Sequence, residues 1–177
     1  MQTYIALLRG INVGGHKKVP MAELRELLTR SGFQNVQTYI QSGNVIFQSS
    51  EENKEALENN VQKAIIDHFG FEVPTIVTTN KDLKTIFNAC PFFKEKKEKS
   101  YFILLNKVPD SELIKDVETL SYENEEIIIK NKCLYFYCST GYGRTKFNMK
   151  SFEQKLKVFG TSRNYKTVIK LIESTSF

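Results

Sequence analysis

Residues 101–113 read YFILLNKVPDSEL, and the first 24 residues hold a closely similar string in two pieces, YIALL at positions 4–8 and KVPMAEL at 18–24. In the later string a single asparagine, Asn106, joins the apolar run to Lys-Val-Pro. In the earlier one the nine residues RGINVGGHK, Arg9 to Lys17, make the same join. An offset of 89 then pairs Ile40 with Ile129, Val45 with Leu134 and Phe47 with Phe136, and an offset of 90 pairs Phe69-Gly70 with Phe159-Gly160. Matches that recur in order along both halves mark an internal duplication, and a duplication fixes the fold of one half from the other.

In the first copy residues 3–9 are apolar, β-branched and aromatic, which predicts a strand. Pro20 suits a first helical turn, Met21, Leu24, Leu27 and Leu28 form an apolar face, and Gly32 suits the position just past the helix end, so a helix is expected from about 20 to 31. Val36 to Ile40 and Val45 to Gln48 flank the turn residues Ser42-Gly43-Asn44 and predict a hairpin. Leu57, Val61, Ala64, Ile65 and His68 repeat at helical spacing up to Gly70, and Val73 to Thr78 reads as a last strand. The second copy gives a strand over 100–107, a helix over 110–120, a hairpin from 126–130 and 133–139, and a helix over 148–159.

The expected class is therefore α+β, with two tandem ferredoxin-like subdomains of βαββαβ type, at 1–79 and 100–177, packed together as one compact unit. Between them, Leu83, Ile86, Phe87 and Cys90 predict a short amphipathic helix, and the charge run Lys94 to Lys99 a solvated linker. After Gly160 the repeat calls for a strand. The spacing of Tyr165, Val168, Ile169 and Ile172 behind Thr161, Ser162 and Asn164 as caps instead predicts that the second subdomain ends in a helix.

Composition narrows function by exclusion. With 41% hydrophobic and 25% charged residues the chain is an ordinary folded protein, not a disordered one. Its start lacks a basic signal region and its first apolar run stops at Arg9, so a cytosolic protein without membrane association is expected. Three cysteines without a CxxC pair, and only His16 and His68 as imidazoles, give no disulfide framework and no metal site. No GxSxG, Walker loop or HExxH is present. The net charge of +5 is uneven: Ser139 to Lys170 carries eight basic residues against the single acid Glu153.

Because the second copy makes the same connection with one residue, chain geometry does not require the insert Arg9 to Lys17. Long loops on a rigid scaffold are disproportionately functional. Gly10, Gly14 and Gly15 permit positive φ and close ligand approach, Arg9, Lys17 and Lys18 add charge, and the loop feeds a helix N-terminus, so phosphate or carboxylate is the ligand this composition suits. The alternative is a loop whose glycines only turn the chain and whose Asn12 ties it down. Parallel first and second strands would bring Ser42, Gly43 and Asn44 beside Arg9 to Lys18, whether as part of a site or as a plain turn.

A second candidate is Ser139 to Lys146, STGYGRTK, where Gly141, Gly143, Arg144 and Lys146 replace the acidic, glycine-free Ser49 to Asn53 of the first copy. A third is Thr161 to Asn164, with Arg163, Lys166 and Lys170 on one face of the last helix. Each has an ordinary alternative as a basic surface loop or a solvated stripe. His16 is a candidate proton carrier, and Tyr39 and Tyr142 are candidates to line a site. His68, beside Phe69, suits capping or packing.

The motifs ALLRGINVGG (6–15), KVPMAELR (18–25), YIQSGNVIF (39–47) and TSRNYKTVIKL (161–171) resemble an uncharacterised bacterial family, domain of unknown function 1697. Tyr165 stands where that family usually has tryptophan, and Phe147 where it usually has leucine. The resemblance implies a compact α+β protein with ferredoxin-like subdomains and carries no activity, substrate or cofactor. The leading expectation is binding of a phosphate-bearing or other anionic small molecule by Arg9, Gly10, Asn12, Gly14, Gly15, Lys17 and Lys18 with Ser42, Gly43 and Asn44. Arg144, Lys146, Arg163 and Asn164 would join if the subdomains bring them there. The other readings are nucleic-acid binding through the basic C-terminal half, which lacks an RNP1 pattern, and an enzyme acting on a phosphorylated or acyl substrate. Cofactor and oligomeric state are left open.

Overall fold

A computed structural model describes residues 1–120 and 122–176; Ser121 and Phe177 lie outside the description. The chain divides into two compact units, Met1–Leu83 with Leu171–Phe177, and Lys84–Lys170. Each contains one four-stranded antiparallel sheet together with helices.

In the first unit the order is β1 (Gln2–Leu8), α1 (Met21–Arg30), β2 (Gln34–Tyr39), β3 (Asn44–Ser49), α2 (Lys54–Phe69) and β4 (Thr75–Thr78). The sheet runs β2-β3-β1-β4. Helix α1 ends as its sequence predicts. Gly32 takes φ +97, its amide donates to the Thr29 carbonyl, and the Phe33 amide donates to Leu28, which closes the last turn while Phe33 packs inward. The core lies between sheet and helices. Tyr4, Ala6, Leu8, Val45 and Phe47 supply the alternate strand residues, and Leu24, Leu28, Leu57, Val61 and Ile65 the helix faces.

The second unit repeats the plan with β5 (Tyr101–Leu105), α5 (Ser111–Glu118), β6 (Glu125–Lys130), β7 (Cys133–Cys138), α6 (Met149–Leu156) and β8 (Gly160–Asn164), in sheet order β6-β7-β5-β8. The registers are the same. Tyr4 faces Phe47 and Ala6 faces Val45, as Tyr101 faces Phe136 and Ile103 faces Leu134. α3 (Asn80–Asn88) and α4 (Lys94–Glu98) precede β5, and α7 (Tyr165–Ser174) follows β8.

Three expectations are corrected. The second unit does not pass from Gly160 straight into a helix. Residues 160–164 pair with β5 as a fourth strand, and the helix starts only at Tyr165, capped by the Asn164 side chain on the Thr167 amide. Helical spacing at 165–172 overrode the strand because β8 is short and polar, GTSRN. Secondly, Phe69-Gly70 and Phe159-Gly160 are not equivalent. Gly70 is the left-handed cap of α2, whose counterpart on α6 is Lys157, also left-handed at φ +52. Gly160 instead occupies the Thr75 position, where a Cβ would lie 2.9 Å from the Leu104 carbonyl. Thirdly, the run Lys94 to Lys99 is no bare linker. It is helical over α4, with the Lys97 ammonium 3.9 Å from the centroid of the Phe87 ring.

Candidate functional site

The two units close the same end of their sheets with the same pair of hydrogen bonds. The Leu8 amide donates to Gly43 and the Arg9 amide to Pro74; the Leu105 amide donates to Lys132 and the Asn106 amide to Phe159. Arg9 therefore stands where Asn106 stands, and the surplus of the first unit is Gly10 to Lys17. A second surplus lies beside it: β2 and β3 are joined by four residues, Ile40 to Gly43, where β6 and β7 need only Asn131 and Lys132.

The insert is a small hairpin. The Asn12 amide donates to the Lys17 carbonyl and the His16 amide to Val13, around Gly14 (φ +57) and Gly15 (φ +77). Positive φ at both central residues is the geometry of a tight hairpin turn whose twist matches its strands, so these two glycines have a structural reason to be there. Their amides make no hydrogen bond to protein among the described residues and face solvent.

Ile11 and Asn12 anchor the hairpin. Ile11 is 1% exposed and joins the core, whereas Val13, the other large apolar residue of the loop, is exposed. The Asn12 side chain is fully committed: Oδ1 accepts from the Val19 amide at 2.8 Å, and Nδ2 donates to the Val19 carbonyl at 3.0 Å and to the Gln41 carbonyl at 2.8 Å. That last bond ties the insert to the β2–β3 loop. Gly43 (φ +82) lies against both, because a Cβ there would meet Leu8 Cβ at 2.7 Å and Ile11 Cδ1 at 2.9 Å. Asn44 is buried, its Nδ2 donating to the Tyr39 carbonyl and to Ser42 Oγ. Asn12, Gly43 and Asn44 thus build the platform. Arg9 is half-buried, and Lys17 and Lys18 carry the exposed charge. Lys17 Nζ reaches across to the Glu72 carbonyl at 2.6 Å, above the Phe71 ring.

The candidates of the second unit are arranged otherwise. In the segment Ser139 to Lys146 a 3-10 turn over Tyr142–Arg144 follows Gly141, and the Thr145 hydroxyl (2.7 Å) and the Lys146 amide both donate to Glu125 Oε1. The anion this loop holds is a carboxylate of its own unit. The sequence signal for Glu125 is slight: an acidic residue opens a strand on the same side as the core residues Ile127 and Ile129. Tyr142 is 38% exposed but lays its ring on Tyr101, centroids 4.3 Å apart, and partial burial pushes its phenol pKa up. Arg144 and Lys146 are exposed.

Arg163 is not on a helical stripe with Lys166 and Lys170. It lies on β8 opposite Phe102 and is 6% exposed; Nη1 donates to Thr161 Oγ1 and to the Ser162 carbonyl, both at 2.8 Å, and burial pushes its pKa down to about 10. Paired strand residues share a face, so Arg163 stands on the Phe102 face while Tyr142 packs on Tyr101 at the helix-covered face. The structure does not bring Arg163 to the Arg144 loop, and the Asn164 side chain serves as a cap.

Among the remaining candidates, His16 is exposed and Tyr39 half-buried. His68 bridges α2 to α1, its Nε2 2.6 Å from Glu23 Oε1 and its ring edge-on to Phe69. Cys90, Cys133 and Cys138 are free and buried, and burial pushes the Cys90 and Cys133 thiols up, away from thiolate chemistry. Among the described residues no cluster of three metal-ligating side chains occurs, and no helix is long and apolar enough to cross a membrane.

The sequence profile of a family described as protein of unknown function DUF1697 matches residues 1–135, which ends within β7 and leaves the 161–171 motif outside the match. A solved structure, that of a conserved bacterial protein from Streptococcus pneumoniae, is similar at 28% identity with a TM-score of 0.78, covering 99% of this chain and 98% of that one. No curated protein matches the chain. With the profile spanning both the insert and the first strands of the second unit, the chain belongs to the DUF1697 family.

Proposed function

We propose that this protein is a cytosolic binding protein for a phosphate-bearing or other anionic small ligand, and that the ligand sits at the end of the first unit carrying the Arg9 to Lys18 insert. Each unit is read as ferredoxin-like, with sheet order 4-1-3-2. The observation that carries the proposal is the pair of additions at that end. Both the insert and the lengthened β2–β3 loop are dispensable in the second unit, and they are bonded to each other through Asn12 and Gln41.

Arg9, Lys17 and Lys18 supply charge, and the Gly14 and Gly15 amides supply uncommitted donors on a platform held rigid from below. A preordered loop does not lose its own conformational freedom on binding, which favours affinity.

Nucleic-acid binding through the second unit is the less supported reading. The sheet aromatics that would stack bases, Phe102 and Tyr135, are buried, and Phe87 stacks on Phe102 at 5.7 Å. What supports it is the exposed charge of Arg144, Lys146, Lys150, Lys155, Lys157, Lys166 and Lys170. Binding of that kind would weaken steeply with salt.

The test is a thermal-shift titration of the full chain with nucleotides, phosphosugars, simple anions and short oligonucleotides. A ligand of the native state at a hundred times its Kd stabilises by about 2.7 kcal/mol. The proposal expects a saturable rise in Tm with a small anion, lost in the Arg9→Ala/Lys18→Ala double variant and kept in Arg144→Ala. Silence toward every anion, or a rise indifferent to Arg9 and Lys18, would sink it.

A further inference from the structure

The second unit has no insert, and at the corresponding place it has an open depression of about 470 Å³, lined by Asn106, Lys107, Lys150, Glu153, Gln154, Lys157, Val158 and Phe159. Its size falls in the range of small-molecule sites, about 300–1,000 Å³. One wall is a single stripe of α6, because residues 150, 153, 154 and 157 recur at the three- and four-residue spacing of one helix face. Val158 and Phe159, at the start of the connection to β8, supply its apolar surface.

Comparison with the first unit shows what is unusual here. Aligning the two left-handed helix caps, Gly70 and Lys157, sets Lys150 against Lys63 and Gln154 against Asp67. In the first unit Lys63 is neutralised by Asp67, Nζ to Oδ2 at 2.7 Å, and the helix ends on a glycine. In the second, glutamine replaces the acid and a lysine replaces the glycine, although lysine in a left-handed conformation is strained where glycine is not. The ammonium groups of Lys107, Lys150 and Lys157 have no ion-pair or hydrogen-bond partner among the described residues. The one acid of the wall, Glu153, is held by accepting the Gly160 amide at 2.8 Å.

Asn106 adds an oriented donor. Its Oδ1 accepts from the Phe159 amide at 2.9 Å while its own amide donates to the Phe159 carbonyl, which fixes the carboxamide and leaves Nδ2 uncommitted. Three unpaired cations, a fixed amide donor and an apolar floor match one chemical class.

We infer that this depression is a binding site for a small organic phosphate, with the phosphoryl group among Lys107, Lys150, Lys157 and the Asn106 amide, and the organic part against Val158 and Phe159. The inference is argued from residues of the second unit alone and does not rest on the reading of the first.

Two substitutions borrowed from the first unit test it without risk to the fold. Lys157→Gly relieves the strained cap, and Gln154→Asp restores the acid that would neutralise Lys150. Amide chemical shifts of the full-length protein are followed while glucose 6-phosphate or adenosine monophosphate is added. Saturable shifts are expected at Asn106, Lys107 and Lys157 to Phe159, unchanged by Arg9→Ala/Lys18→Ala. The Lys157→Gly/Gln154→Asp variant should bind at least about tenfold more weakly, the scale of one lost charge-assisted hydrogen bond, with a Tm no lower than that of the parent. No saturable shift at those amides, shifts that persist in that variant, or shifts abolished by the Arg9 and Lys18 changes instead would each overturn the inference.

Discussion

The same end of the sheet is built twice in this chain, and the largest difference between the two versions is what the first one adds. Leu8 and Leu105 close onto the neighbouring hairpin with the same bond, and Arg9 and Asn106 close onto the last connection with the same bond. A four-stranded sheet of this order needs no more than the second unit supplies. The eight residues Gly10 to Lys17 and the two extra residues of the β2–β3 loop are therefore surplus to the fold's topology. They are not loose, however. Ile11 is pinned in the core, and Asn12 satisfies three backbone groups at once, so the additions are built as a rigid platform rather than left as a mobile tail. Rigidity without topological necessity is what a binding surface requires.

That contrast can be broken at its anchors. Ile11→Ala should cost about 2–5 kcal/mol, the usual range for a large-to-small change at a fully buried site, read from denaturant midpoints. A loss below half a kcal/mol would mean that the insert is not anchored as described. Gly43→Ala should cost somewhat less, about 2–3 kcal/mol, combining positive-φ strain with overpacking against Leu8 and Ile11. Asn131→Ala, at the two-residue turn of the second unit, likewise puts alanine at a left-handed position but adds no atom that could crowd a neighbour, so it should cost clearly less. Asn12→Ala should cost about 1–3 kcal/mol by leaving the Val19 and Gln41 backbone groups unsatisfied, with faster hydrogen exchange at the Val19 amide as its local sign. If Val19 stays protected, the tie between insert and hairpin is not what orders the loop.

The smallest effect serves as a control elsewhere in the first unit. Burial would raise the Asp82 pKa, but the Lys54 ammonium and the Thr79 hydroxyl outweigh it and hold the carboxyl below its ordinary value. A folded-state pKa below the unfolded one gives stability that is complete above the unfolded value and fades as pH falls through the folded one. Because both side chains of the pair are more than two-fifths exposed, the contribution should be under about 1 kcal/mol. Asp82→Asn should accordingly lower stability by up to that amount near neutrality, with the difference from the parent fading as pH falls below about 4. A stability difference at pH 7 exceeding that bound would show the pair to be better shielded than its exposure suggests.

Most of the architecture could be read from the repeat, and the misses have physical causes. Sequence matching aligned Phe69-Gly70 with Phe159-Gly160, yet the backbone puts a helix cap at one glycine and a strand start at the other, because glycine answers several different steric demands. The strand at 160–164 was hidden by its polar composition and by the strong helical spacing that follows it. At the first unit's platform, the neighbourhood of insert and hairpin followed from strand direction alone. The division of labour within it did not: Gly43 is a packing residue and Asn12 a tie, roles that depend on atoms brought in from β1 and β3. Arg163 reads as surface charge in the sequence because its spacing to Lys166 and Lys170 is helical, although the residue lies on a strand.

The most direct test of the central claim is to give the first unit the connection of the second, replacing Arg9 to Lys17 by a single asparagine so that the chain reads LLNKVP there as it does at 104–109. The variant should unfold cooperatively at a stability lowered by about 2–5 kcal/mol through the loss of Ile11. The anion giving the parent its largest Tm rise at the first unit should then give the variant none. A variant that no longer folds, or one that folds and still responds to that anion, would contradict the account.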